Sequence, residues 1–349
     1  MHKNMIENQI LVFGVKGKLT MEKYQLWAEK VQQELQRNTD WIERYDDYAD
    51  DILRNKDKIY KYRKNFHVPK PLGCYITMGN SKDGKTVYDL RYLGQSVGDI
   101  SINKDHDLVL NVSEDKMKYF ELSKCDDFKE IGRIENESWS NGKKARVFRK
   151  FYREIVDKEK LPRQKEHMVE ARLFQELSKQ IGIDKQLRDI QPIEFAGCLT
   201  HMKTAVPASK SSKGIISVSN AGGEIDIFCR RKVSSKESRL TVIEVKDKVE
   251  KNESFEEAMF QAISYAVFIR ELLYSSSGSK WMQIWGINGK NKDAFTINAV
   301  VAIPICDEEV PNFRGQRVIL GKDIIELHTM ALRKDKLFGE GEVYFETTL

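Results

Sequence analysis

Cysteine is scarce and scattered. The 349-residue chain holds five (Cys74, Cys125, Cys198, Cys229 and Cys306), too far apart for a CxxC pair or a disulfide ladder, so reduced and mostly buried thiols are expected. The six histidines (His2, His67, His106, His167, His201 and His328) show no HExxH spacing, which disfavours a zinc hydrolase of that kind. Long apolar runs are missing too. The longest, Ala258 to Tyr274, is interrupted by Gln261, Arg270 and Glu271 and cannot supply the roughly 20 lipid-facing residues of a membrane span. The polar start, Met1 to Asn8, carries Lys3 and Glu7 and lacks the apolar stretch of a secretory signal; a cytoplasmic protein with no membrane contact is expected. No repeat of fixed period is apparent, which sets aside solenoids and propellers.

Charge is what the chain has in quantity. Its 58 bases and 53 acids leave a net +5, with 32% charged and 40% hydrophobic residues, as in a folded, surface-charged protein. At roughly 100 to 200 residues per domain, this length suggests two domains. After a β-like start (Gln9 to Val15), Thr20 caps an expected helix with Tyr24, Trp27, Val31 and Leu35 on one face. A second helix is expected from about Asp40 to Lys64, its aromatics Trp41, Tyr45, Tyr48 and Tyr60 serving helix-helix packing. From Pro71 to about Lys124 the period changes to two: Val87, Asp89 and Arg91 alternate with Tyr88, Leu90 and Tyr92, predicting antiparallel strands. This β module has neither a phosphate-binding glycine loop nor a catalytic triad signature.

Between Lys143 and Lys165 ten bases face three acids, a local net of +7 that exceeds the charge of the whole chain. Such a segment, with Phe148, Phe151 and Tyr152 among Lys143, Lys144, Arg146, Arg149, Lys150 and Arg153, either tracks a phosphate backbone or is a solvated helix face with its aromatics in the core.

Chemistry concentrates after His167. An amphipathic helix with Glu170, Leu173, Phe174, Leu177 and Ile181 stops at Gly182. A strand around Ile193 to Cys198 follows, then a strand Gly223 to Phe228 containing Asp226, and a strand Leu240 to Lys246 containing Glu244 and Lys246. Side chains alternate along a strand, so Glu244 and Lys246 share a face. If a hairpin sets Asp226 beside Glu244, two carboxylates and an ammonium converge, a set suited to magnesium, with the lysine beside a metal-bound water. A long apolar helix, Phe255 to Tyr274, then presents Gln261 and Tyr265 four residues apart, ahead of strands expected at Trp281 to Ile287 and Phe295 to Ile303. A short helix around Asp323 to Leu332 and a strand Glu342 to Thr347 complete the reading.

Here the chain resembles the PD-(D/E)xK nuclease superfamily. Gly223-x-x-Asp226 looks like its Gly-x-x-Asp element, Glu244-Val245-Lys246 like its (D/E)xK element, and Gln261-x-x-x-Tyr265 is similar to the QxxxY element of its RecB-like branch. The resemblance covers about residues 160 to 305, and it departs from the pattern in lacking a proline before Asp226. It implies an α/β fold: a restriction-endonuclease-like α-β-β-β-α-β core in the C-terminal half, preceded by an α+β region of helices and an antiparallel β module. The expected division is a recognition region (1–140), a basic connecting helix (141–165) and a nuclease domain (166–349).

The resemblance further implies that Asp226, Glu244, the Val245 carbonyl and Glu170 hold Mg2+, with Mn2+ as substitute; His167 competes with Glu170. Lys246 would position or activate the water, and Gln261 and Tyr265 would orient Lys246 or touch the strand. Arg230, Arg231 and Lys232, directly after the Asp226 strand, and Lys248, after the Lys246 strand, would join the basic segment against phosphate. The implied function is a metal-dependent nuclease, a DNA endonuclease of restriction or genome-defence type, in which a homodimer would let two sites cut two strands. The alternatives are an inactive nuclease-fold module that binds nucleic acid, and a structural protein in which these are plain strand residues.

Overall fold

Apolar residues spaced by three and four make the first two elements among the described residues helices. α1 (residues 21–37) buries Tyr24, Ala28, Val31 and Leu35; α2 (Asp40–Arg54) buries Trp41, Tyr45, Tyr48, Ala49 and Ile52. The computed structural model describes residues 21–57, 60, 72–78, 86–92, 94–102, 107–121, 133–154, 165–178, 190–195, 198–207, 217–219, 222–234, 237–246, 255–287, 293–304, 313–332 and 345–347. The expected strand at Gln9 to Val15, the glycine stop at Gly182 and the base Lys248 lie outside these.

The alternating segment folds as an antiparallel meander of β1 (Leu72–Met78), β2 (Thr86–Tyr92), β3 (Gln95–Ile102) and β4 (Leu108–Val112), joined by β5 (Ile134–Ser138). Between β4 and β5 the chain forms helix α3 (Glu114–Glu121) where strand was expected; the Ser113 carbonyl accepts from the amides of Lys116 and Met117, starting the helical turn. Helix α4 (Lys143–Glu154) follows, and its Tyr152 ring lies 5.1 Å from that of Tyr92. Phe148 and Tyr152 are buried, whereas Lys143, Arg146, Lys150 and Arg153 are exposed. Residues 155–164, with Lys158, Lys160 and Arg163, fall outside the described residues.

After α5 (Lys165–Leu177) and β6 (Ile190–Pro192), the short strands β7 (Glu194–Phe195) and β8 (Cys198–Thr200) return to the first sheet, where β8 pairs in parallel with β1. That sheet therefore runs β5-β4-β3-β2-β1-β8-β7 and is completed by residues from beyond the basic helix.

The second sheet is mixed. β9 (Ile227–Lys232) and β10 (Ser238–Val245) form an antiparallel hairpin. α6 (Phe255–Tyr274) and α7 (Gly278–Ile284) cross over to β11 (Thr296–Pro304), parallel to β10. β12 (Arg314–Leu320), β13 (Asp323–Leu332) and β14 (Phe345–Thr347) complete it, in the order β12-β13-β11-β10-β9-β6 with β14 against β13.

Two further segments differ from the elements expected of them. Trp281 to Ile287, expected as a strand, is mostly helical: Trp281, Ile284 and Trp285, spaced three and four, point together into the core. Asp323 to Leu332, expected as a helix, is β13, and it is buried along nearly its whole length between β11 and β12.

α6 is apolar almost all round because it is covered on both sides. One side packs on β10 and β11; on the other, Trp27 stacks on Phe260 at 4.7 Å, and Trp41 meets Phe268 at 5.4 Å. On the opposite sheet face α5 sets Val169, Leu173 and Leu177 against Ile227, Ile243 and Val245. The N-terminal helices thus share a hydrophobic core with α6 and the second sheet. The molecule is a mixed α/β protein, and among the described residues no helix is long and apolar enough to cross a membrane.

Candidate metal centre

The centre lies where the β9–β10 hairpin opens. The antiparallel register ends with Ile227 opposite Ile243, so one further step brings Asp226 beside Glu244. Asp226 sits in a bend ahead of β9, because residues 223–225 are occupied elsewhere: the amide of Ile225 donates to the Met202 carbonyl, and Glu224 bridges to Lys203. The strand expected at Gly223 to Phe228 accordingly starts at Ile227. Beyond the end of β9 the Val245 amide donates to Asp226 Oδ2 at 2.7 Å.

Glu244 and Lys246 leave the strand on one side. Lys246 Nζ lies 2.9 Å from Glu244 Oε1 and 3.1 Å from Glu166 Oε1. Glu166, Asp226 and Glu244 each offer a carboxylate oxygen within 4.8 Å of the others. Glu244 is 5% exposed and Lys246 9%. The three like charges repel one another, although the Glu166 side chain is 41% exposed. Burial first, then Glu244 and Glu170, push the Asp226 carboxyl well above the usual carboxylate range, against the opposing pull of the Val245 amide and Lys246. Burial alone would lower the Lys246 ammonium, but Glu244 and Glu166 more than offset it and hold the group protonated, above its ordinary value.

Glu166 is absent from the sequence reading, which began its helix at His167. In the structure α5 starts at Lys165, and Glu166 and Glu170, four residues apart, share one helix face; that spacing was the available signal. Glu170 is 3% exposed and lies a turn further along, its Oε2 3.2 Å from His167 Nδ1. Its Oε1 has no hydrogen-bond partner among the described residues. The hydrogen bond to Glu170 raises the His167 pKa against the effect of burial.

On α6, Gln261 is buried with its Oε1 likewise unpartnered among the described residues, and Tyr265 is buried with its hydroxyl against Gly223. Burial, then Glu244 and Asp226, raise the Tyr265 phenol well above its usual range, so it remains a donor. At 5% exposure its ring offers no open face to a nucleic-acid base.

The other expected phosphate contacts stand apart. Arg230 and Arg231 are four and five positions along from Asp226, roughly 13 to 17 Å at about 3.3 Å per residue, and Arg230 donates to the Gly286 carbonyl at 3.2 Å. In α4, Arg149 donates to the carbonyls of Trp139 and Ser140 and stacks on Trp139 at 4.8 Å, and Lys144 Nζ donates to the Arg133 carbonyl at 3.2 Å. Those two side chains fasten α4 to the chain before it.

The residues of the centre fit a hard divalent cation: an all-oxygen donor set, like charges that a cation would relieve, and the unpartnered Glu170 Oε1 one helical turn from Glu166. Compared with protein families, with curated proteins and with solved structures, the chain has no match in any of the three.

Proposed function

We propose that this protein is a divalent-metal-dependent nuclease that hydrolyses phosphodiester bonds of nucleic acid, with DNA as the expected substrate. The observation that carries the reading is the meeting of Glu166, Asp226 and Glu244 within 4.8 Å, with the Lys246 ammonium 2.9 Å from Glu244. Structural proteins gain little from burying such a group. With β7 and β8, which join the first sheet, and the short α7 set aside, the succession α5, β6, β9, β10, α6, β11 is compatible with a restriction-endonuclease-like α-β-β-β-α-β core.

Glu166, Asp226 and Glu244 would hold the cation, Mg2+ with Mn2+ as substitute, and Glu170 stands behind Asp226 as a further carboxylate. The cation would polarise the phosphate and ease deprotonation of a bound water. Lys246, held protonated, serves as a donor that orients the attacking water and opposes the charge developing on the phosphoryl oxygens. Gln261 accepts from that water through its unpartnered Oε1, and Tyr265 keeps the Gly223 to Asp226 loop in place through its hydroxyl. The exposed bases of α4, namely Lys143, Arg146, Lys150 and Arg153, supply general attraction for the backbone. Restriction or genome defence is a role that suits such an enzyme.

The test is incubation of wild type and Lys246→Ala with linear, circular and single-stranded DNA and with RNA, in magnesium, manganese or chelator. Metal-dependent cleavage by wild type and its loss in the variant are expected. Intact substrates throughout would refute the reading.

A further inference from the structure

The first sheet presents two faces. Tyr88, Leu90 and Tyr92 of β2 point into the core with α4, while Asp89 and Arg91, alternating with them, point the other way, toward Tyr75 and His201. Arg91 is held there with little freedom. Its Nε donates to Asp89 Oδ2 at 2.7 Å, its guanidinium lies 5.1 Å from the centre of the Tyr75 ring, and Asp89 accepts a second bond from Ser96 Oγ at 2.5 Å. The outer end of the fork faces His201 Nδ1 at 3.4 Å and Glu224 Oε2 at 3.8 Å. Lys203 Nζ stands 3.3 Å from the other oxygen of Glu224. His201, buried, is kept neutral by burial and by Arg91 and Lys203, so its Nδ1 can accept from the guanidinium.

Two cations thus converge on one carboxylate, and that carboxylate, Glu224, has a side chain 42% exposed. It is also two residues before Asp226, roughly 6.6 Å of extended chain. The position is fixed relative to the centre by a close contact. Gly94, in the turn between β2 and β3 with φ +80°, packs on His167, and a β-carbon there would lie 2.8 Å from both the Cβ and the carbonyl oxygen of His167, the residue next to Glu166.

We propose that Arg91 and Lys203 form an anion subsite that takes the phosphate neighbouring the scissile one, Glu224 yielding its place to the phosphate and turning to solvent. A planar, pre-positioned guanidinium suits two phosphate oxygens. The first sheet is then one wall of the catalytic cleft, and the chain reads the strand on both sides of the metal centre. This subsite rests on the nuclease reading.

The test is a coupling measurement with an oligonucleotide, DNA or RNA, that the wild type cleaves. Each phosphate flanking the cut is replaced singly by an uncharged methylphosphonate, and KM and kcat are measured for wild type, Arg91→Gln and Lys203→Gln. At one flanking position the methylphosphonate should raise the wild-type KM by about 10- to 100-fold with kcat little changed, and should add almost nothing to the raised KM of either variant. A purely structural role for Arg91 would weaken every substrate alike and leave the penalties multiplicative, which would overturn the subsite while leaving the nuclease intact. Should Arg91→Gln fail to fold, Lys203→Gln carries the same comparison. Absence of any cleavage by wild type would overturn the nuclease reading, and the subsite with it.

Discussion

The Tyr265 hydroxyl lies so close to Gly223 that a β-carbon on residue 223 would stand 2.4 Å from it. This contact ties the loop that delivers Asp226 to the helix that carries Gln261. Gly223→Ala should therefore displace the ring and cost about 1 to 3 kcal/mol in urea denaturation, the range for an overpacked site. Combining it with Tyr265→Phe, which removes the clashing oxygen, should recover part of that loss. A Gly223→Ala protein as stable as wild type would show that the loop and α6 are not coupled in this way.

Glu166, not Glu170, stands within 4.8 Å of Asp226 and Glu244. Glu166→Gln should raise the magnesium concentration needed for half-maximal cleavage by at least about tenfold. Glu170→Gln should affect that requirement less, since its Oε2 is engaged with His167. The reverse order of the two variants would return the helix ligand to Glu170.

α1 is fastened to α6 by more than apolar contact: Trp27 Nε1 donates to the Phe260 carbonyl at 3.1 Å and to Ser264 Oγ at 2.9 Å. Tyr24, 1% exposed, meets Phe260 and Phe313 edge-on. Tyr24→Ala should destabilise the protein by about 3 to 5 kcal/mol, as for other large aromatic truncations. A fragment beginning at Lys143 should fail to fold. A soluble, fully active 143–349 fragment would contradict this placement of the core.

His328 on β13 is 4% exposed, and neither ring nitrogen has a hydrogen-bond partner among the described residues. Burial and then Arg231 push its pKa down to about 4, only partly opposed by Glu326. The unfolded ring takes a proton near pH 6.5, the folded one only near pH 4. Its contribution is complete above pH 6.5 and disappears as the pH falls through that window, on the order of 1 to 3 kcal/mol. Urea denaturation across this range should show a shallower decline for His328→Gln than for wild type. Parallel curves would remove His328 as the cause.

The hairpin and α6 were legible because composition and tertiary burial agree there: β-branched Thr241, Val242, Ile243 and Val245, with Glu244 and Lys246 two residues apart, and an apolar run that ends, as expected, at Tyr274. Convergence of Asp226 with Glu244 follows from the same two-residue period. β13 was not legible, since burial on both faces leaves no alternation and its Leu, Met and Ala residues, unlike the β-branched run of β10, favour helix by type. α7 was missed because its tryptophans favour strand by type and helix only by spacing. The return of β8 to β1 is a non-local pairing about 125 residues apart in the chain, and nothing in either strand announces its partner. Arg91 escaped notice for that reason too: its neighbours His201 and Glu224 come from the far half of the chain.

The metal centre itself is tested most directly by titrating the chelator-treated protein with Mn2+ and following free Mn2+ by electron paramagnetic resonance, for wild type and Asp226→Asn side by side. Saturable binding by wild type, weakened at least about tenfold in Asp226→Asn with the fold retained by circular dichroism, is the predicted result. No binding by wild type, or equal binding by both proteins, would contradict a cation held by Glu166, Asp226 and Glu244.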